Sequence, residues 1–256
     1  MADGKTIEVS FAEGVRTITL DRPPLNVLDL PMIDALAAAF EEAGRDPRTR
    51  VVVLRGRGKA FSAGVEVADH SPDKAPAMIT AFGRLFQTMR NASVPTVAVV
   101  EGAALGGGAE VVLFCDLILM GPKGSFGVPE INLGFFPPIA AAALPRRIPR
   151  AVAMELMLTG DRIDAQRAFQ VGLANAVLPA EGTEDAIRAF VGRVARGSGS
   201  VLRLAVRAAD QCDGIPIAAA LDRGGAIFLA DLYRTEDVRE GLASFAEKRK
   251  PVWKDR

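Results

Sequence analysis

Apolar and polar residues alternate along "TIEVSF" and again along "VRTITL", with Glu13-Gly14 between them, which predicts a β-hairpin. The period then changes. "LPMIDALAAAFEEAGRD" repeats its apolar residues at helical spacing and stops before Pro47. "RVVVLRG" and "PTVAVVEG" are short β-branched runs bounded by Gly or Pro, as buried strands are. Between them "PAMITAFGRLFQTMRNAS" predicts an amphipathic helix. A further helix is expected to begin inside the glycine run at Gly106, and "LILMGP" reads as the next strand. This alternation of strand and helix predicts an α/β core up to about Pro129.

The texture changes from Pro138 onward. "PIAAAALPRRIPRAVAMELMLTG", "DAQRAFQVGL", "EDAIRAFVGRVARG", "SVLRLAVRAADQC" and "PIAAALDRGGAIFLADLY" read as almost wholly helical, and only "ANAVLP" resembles a strand. The expected organisation is a spiral α/β core over residues 1–181 and a helical region over 182–256. No short-period repeat or low-complexity linker interrupts the chain.

Composition narrows the function. In 256 residues, Lys+Arg and Asp+Glu both total 31, so no global field draws the protein to nucleic acid or an anionic membrane. Hydrophobic content of 49% allows a large core. Cys115 and Cys212 are too few and too far apart for a disulfide scaffold or a zinc site, which points to a reducing compartment. "MADGKTIEVS" has no apolar leader core and no window reaches membrane-span length, so a cytoplasmic protein is expected. The single histidine, His70, excludes a multi-histidine metal site. Its neighbours in "VADHSPDK" read as a loop, and a surface or hydrogen-bonding role is expected for it. Chemistry then falls to carboxylates and backbone amides.

The stretch "EGAALGGGAEVVLFCD" places three glycines and Glu110 ahead of a run that reads as buried. It is no phosphate loop: it has no lysine, and its acid would repel phosphate. In "GRGKAFSAG", Ala60 stands where such a loop needs Ser or Thr. A glycine run at a strand-to-helix turn does leave N–H groups uncovered at the positive end of a helix. Such amides can hold a developing oxyanion. Gly64 in "AFSAGVEV" supplies a second turn of this kind, while "GSFGVPEINLGFFPP" brings a second acid, Glu130. Two carboxylates beside one oxyanion site suit paired acid-base work. Taken alone, Glu110 could equally cap its own helix, with the glycines serving close packing.

"KAFSAGVEV", "EGAALGGGAEVVLFCDLI", "FGVPEINLGFFP" and the closing "EGLASFAEKRKPVW" together resemble the crotonase superfamily, the enoyl-CoA hydratases and isomerases. The resemblance covers nearly the whole chain in order. It implies an α/β crotonase-like spiral of ββα units with a helical C-terminal trimerisation region, assembled as a homo-oligomer, a trimer or a dimer of trimers. It implies an acyl-CoA thioester as substrate, with coenzyme A part of that substrate rather than a separate cofactor, and no metal. The oxyanion amides would belong to Val65 and Gly107, and Glu110 and Glu130 match the paired acids of the hydratases. The loop from Ala60 through Ala63, Gly64, Val65, Glu66 and Val67, together with Gly106, matches substrate-binding positions. There the Ala60 and Ala63 carbonyls would take the adenine amino group. Phe245 and Lys248 match C-terminal positions that reach a CoA site, often on a neighbouring subunit, and Lys248, Arg249, Lys250 and Lys254 would suit its phosphates.

One departure stands out. Hydratases usually follow the second acid with a Gly-rich segment, and here the chain reads Pro137-Pro138-Ile139-Ala140. With Phe135 and Phe136, this is expected to give a stiffer, more apolar pocket floor. "SAGVEVADHSPDK" and "LGFFPPIAAAALPRRI" resemble most the cyclic dienoyl-CoA hydratases of aromatic-acid degradation. Within the superfamily an isomerase, thioester hydrolase or decarboxylase is the alternative, and an RNA-binding relative a remoter one. Keeping both Glu110 and Glu130 favours hydration.

Overall fold

The computed structural model describes residues 6–256. Residues 1–5, on which the expectation of no leader partly rests, lie outside the described residues. Strands β1 (Ile7–Ala12) and β2 (Val15–Leu20) form the expected hairpin. Its two turn residues, Glu13 and Gly14, both take positive φ (51° and 82°), the handedness that matches the strand twist. Helix α1 (Leu30–Arg45) starts on Asp29, whose carboxylate accepts from the Met32 amide at 3.0 Å. There follow β3 (Val51–Gly56), β4 (Ala60–Ser62), α2 (Ala75–Ala92), β5 (Thr96–Val100), β6 (Ala103–Leu105), α3 (Gly107–Leu113), β7 (Leu117–Met120) and β8 (Ser125–Gly127). Then come α4 (Pro138–Arg147), α5 (Arg150–Thr159), β9 (Arg162–Asp164), α6 (Ala165–Gln170), β10 (Ala176–Val177), α7 (Thr183–Ala195), α8 (Gly199–Cys212), α9 (Ile217–Ala230) and α10 (Glu236–Ala246).

Two sheets stand side by side. One orders β1-β2-β3-β5-β7-β10, and the other β4-β6-β8-β9. Each turn of the chain lays one strand in the first sheet and the next in the second, then returns through helical structure: β3-β4-α2, β5-β6-α3, and β7-β8 followed by α4. That repeat is the spiral of ββα units. β4, β6 and β8 pair in parallel, so their C-terminal ends lie together at one edge.

The β-branched strands are buried on both faces, as their composition predicts. Val52, Leu54, Ala98, Val100 and Ile118 face the main core with α1 and α2. The alternate positions Val51, Val53, Val97, Val99 and Leu119 face Ile187 and Val191 of α7. α7 therefore closes the second face of the large sheet at the point where the chain turns helical. α8, α9 and α10 continue from it and leave Ile217, Leu221, Leu229 and Leu242 exposed. Among the described residues no helix is long and apolar enough to cross a membrane.

Candidate active site

The parallel order β4-β6-β8 sets three turns next to one another: Ala63-Gly64-Val65 after β4, Gly106-Gly107 after β6, and the turn bearing Glu130 after β8. Val65 forms an isolated parallel bridge with Leu28. The Leu28 amide donates to the Gly64 carbonyl at 2.8 Å, and the Glu66 amide to the Leu28 carbonyl at 2.9 Å. In an extended segment the residue between those bonds turns its own N–H the opposite way. Val65 is that residue.

The opposite side is the glycine turn. A Cβ built on Gly64, whose φ is +114°, would meet the Leu105 carbonyl oxygen at 3.2 Å and the Gly107 nitrogen at 3.9 Å. Glycine is required there by its backbone angle as well as by the approach. Gly107 is the first residue of α3, so its amide has no partner within the helix. Among the described residues no hydrogen bond uses the Val65 or the Gly107 N–H. Gly106, at φ +51°, carries the chain into α3, and a Cβ on it would come within 3.0 Å of Glu130 Oε1. The second acid thus rests against the glycine turn itself.

Glu110 stands on the first turn of α3 and is 5% exposed. Its Oε1 accepts from the Ile139 amide at 3.0 Å and the Ala140 amide at 2.9 Å. Those are early N–H groups of α4, whose N-cap residue, Pro137, has no side-chain oxygen to offer. The carboxylate of one helix therefore caps another, and Oε2 is left without a protein hydrogen bond. Burial pushes the Glu110 carboxyl up to about 7; the Ala140 and Ile139 amides oppose that rise, and the Glu130 charge adds to it. Glu130 is half-buried in a 3-10 turn, Pro129–Leu133, and its Oε2 is buried with no partner. Burial raises its carboxyl as well, opposed by its own amide and by His70.

The structure places the remaining candidates unevenly. Ala60 is buried, and its carbonyl accepts from Asn26 Nδ2 at 2.9 Å. The Ala63 carbonyl has no such partner among the described residues. Glu66 faces Arg22 at 3.9 Å, and Val67 is exposed at the start of a 3-10 turn. Pro137 is buried, whereas Pro138 is exposed as the first residue of α4, where a missing N–H breaks no helical bond. The double proline acts on the site by starting the helix that grips Glu110, while Phe135 and Phe136 stand exposed beside it.

Phe245 is 88% exposed near the end of α10, followed by Lys248. The expected basic cluster is smaller than its sequence suggests. Arg249 is taken by Glu240 and Glu247, and Lys254 by Glu236, which leaves Lys248 and Lys250.

Asn26 is the residue the sequence did not single out. Its side-chain amide donates to the carbonyls of Arg57, Ala60 and Phe61 at 3.0, 2.9 and 3.2 Å, pinning the segment that leads to Val65. Its backbone stands at φ 52°, a region that Asn tolerates better than most residues. A cavity of about 620 Å³ between the β1–β2 hairpin and α7, lined by Arg50, Arg55, Glu184 and Ile187 among others, includes none of the site residues.

A spiral of strand pairs that brings two open amides and two buried carboxyls to one sheet edge defines a crotonase-type protein. The chain belongs to the enoyl-CoA hydratase/isomerase family, whose model matches residues 10–256. It is 38% identical over 240 residues to the cyclohexa-1,5-dienecarbonyl-CoA hydratase of Thauera aromatica, covering 93% of this chain and 92% of that one. With the 2,3-dehydroadipyl-CoA hydratase of Escherichia coli it shares 32% over 251 residues, covering 97% and 98%. Among solved structures, an enoyl-CoA hydratase from Bacillus anthracis superposes with a TM-score of 0.93 at 30% identity, covering 98% of this chain and all of its own.

Proposed function

We propose that this protein adds water across the conjugated double bond of an enoyl-CoA thioester. The Val65 and Gly107 amides bind the thioester oxygen, and Glu110 and Glu130 hold the water between them. One carboxylate draws a proton from water as its oxygen bonds to the β-carbon. The negative charge moves through the α-carbon to the thioester oxygen, where the two amides stabilise it. A carboxylic acid of the pair then protonates the α-carbon, so one water is consumed and the pair together keeps its proton count.

The observation that carries this reading is the set of open groups. Two amides and one oxygen of each glutamate lack protein partners at one sheet edge. Buried polar groups are otherwise satisfied in folded proteins, so an unpaired set in one place reads as a site awaiting a ligand. Hydration needs two oxygens that can each hold a water, and both are present. A carbon-to-carbon proton shift would need only one acid.

Within this reading, the acyl group is a cyclic conjugated diene, with cyclohexa-1,5-diene-1-carbonyl-CoA as the model substrate. The Thauera aromatica relative and the exposed Phe135-Phe136 pair support that choice. Coenzyme A would run past Ala63, Glu66 and Val67, with Phe245 and Lys248 supplied by a neighbouring subunit. The exposed apolar residues of α9 and α10 support a trimer or dimer of trimers. Purified protein offered linear and cyclic enoyl-CoA thioesters, read by loss of the conjugated-thioester absorbance, tests the function. Sedimentation velocity tests the assembly, which a monomer at micromolar concentration would exclude.

A further inference from the structure

His70 is the only histidine in the chain, and neither the amide pair nor the glutamate pair uses it. It ends the 3-10 turn Val67–His70 that leaves the Val65 loop. Its Nδ1 lies 3.2 Å from the Glu66 carbonyl oxygen, a contact in which the ring N–H donates. The half-buried ring packs at a tilt against Phe135, with centroids 5.4 Å apart. Phe135 in turn donates its amide to the Glu130 carbonyl at 3.1 Å. One imidazole therefore spans from the residue beside Val65 to the turn that carries the second glutamate.

We infer that His70 is a positioning residue for Glu130: through Phe135 it sets the separation between the Val65 amide and the Glu130 carboxyl, and it lays an ionisable ring near that carboxyl. The catalytic consequence rests on the hydratase reading, whereas the contact itself does not. Charge agrees with geometry. His70 draws the Glu130 carboxyl down, against the burial that raises it. The charges next to His70 along the chain are Glu66 and Asp69 at its own turn, and Asp73 and Lys74 just before α2. Asp69 is taken up by Lys74 at 3.8 Å, and Glu66 faces Arg22 at 3.9 Å. Among the described residues neither Asp73 nor Glu130 has an ion-pair partner, and of these two Glu130 is the one that the ring's charge draws down.

A single histidine makes the test direct. The imidazole Cε1–H proton gives one resonance, and in Phe135→Leu it should move as the aromatic neighbour is lost. The Glu130 carboxyl, labelled with ¹³C and assigned by its absence from Glu130→Gln, should titrate at higher pH in His70→Gln than in the wild type. A residue that merely filled space would leave that midpoint where it was. With an accepted thioester, His70→Gln should lower kcat by roughly tenfold or more with a smaller change in KM, the signature of misplaced chemistry. An unmoved imidazole line in Phe135→Leu would overturn the contact, and an unmoved Glu130 midpoint would overturn the positioning role. Both spectroscopic arms work without turnover. A protein that hydrates no thioester would therefore sink the hydratase reading and still leave His70 decided.

Discussion

The Ala140 amide donates to Glu110 Oε1 at 2.9 Å, so the acid that leads α3 also caps α4. This relationship answers why a charge sits where the chain is about to bury a core. Glu110 satisfies a helix start that Pro137 leaves bare, and it keeps its other oxygen for the site.

Burial of that carboxyl should show in stability. The folded-state value is pushed to about 7 from an ordinary 4.5, so the folded chain holds a proton that the unfolded chain has released between those limits. This group's contribution is therefore fully present below about pH 4.5 and is lost as pH rises through about 7. A shift of this size corresponds to on the order of 3 kcal/mol. Glu110→Gln cannot titrate. Urea unfolding should show the wild type losing ground to this variant between pH 5 and 8, and a difference that stays flat across that range would contradict the assignment.

The amide pair makes a steric prediction. A Cβ on Gly107 would meet Val65 Cγ2 at 2.5 Å and Phe82 Cζ at 3.0 Å. Gly107→Ala should push the two donor residues apart and lower kcat by up to 10²–10³-fold, the scale of losing one oxyanion donor. Trimming the obstacle in Val65→Ala/Gly107→Ala should recover a substantial part of the loss. Circular dichroism must show both variants folded. A fully active Gly107→Ala would refute the pair.

Pro138 is expected to act through Glu110. Replacing it with Gly loosens the first turn of α4 and the two amides that hold Oε1. The prediction for Pro138→Gly is a fall in kcat that exceeds any rise in KM. The wild type should favour cyclohexa-1,5-diene-1-carbonyl-CoA over crotonyl-CoA in kcat/KM, because a rigid ring has little conformational freedom to lose on binding. Should crotonyl-CoA prove the better wild-type substrate, the cyclic assignment fails while hydration stands.

Much of this architecture is legible in the residues. The hairpin, the buried strands β3, β5 and β7, and helices α1 to α3 follow from period and composition alone. β4, β6, β8 and β9 do not, because three residues are too few to establish an alternation, and "SFG" reads as turn. Those short strands build the sheet edge that gathers the site. The glycine run and both acids could be found in sequence; their meeting could not, since it depends on the parallel order β4-β6-β8. Likewise, nothing local to "LNVL" announces that Asn26 pins the Ala60 segment. The basic C-terminal run shrinks in the structure because its neighbours Glu236, Glu240 and Glu247 are brought back upon it.

Arg203 offers a stability test remote from the site. From α8 its guanidinium donates to the carbonyls of Ala43, Gly44, Asp46, Thr49 and Ala92, across the C-terminal ends of α1 and α2. Arg203→Met strands several buried acceptors and should cost at least about 3 kcal/mol. Arg203→Lys should recover little, since an ammonium lacks the planar fork. Denaturant unfolding that matches the wild type would show that the staple contributes little.

The most direct measurement follows the oxygen. The wild type is incubated with cyclohexa-1,5-diene-1-carbonyl-CoA, and separately with crotonyl-CoA, in ¹⁸O-labelled water, and the thioester products are read by mass spectrometry. The account predicts that one solvent oxygen enters the product at a carbon position. Glu110→Gln and Glu130→Gln should each slow that uptake by at least ~10²-fold while still binding the thioester. A substrate whose double bond migrates without taking up oxygen, or a glutamate variant that hydrates at the wild-type rate, would contradict it.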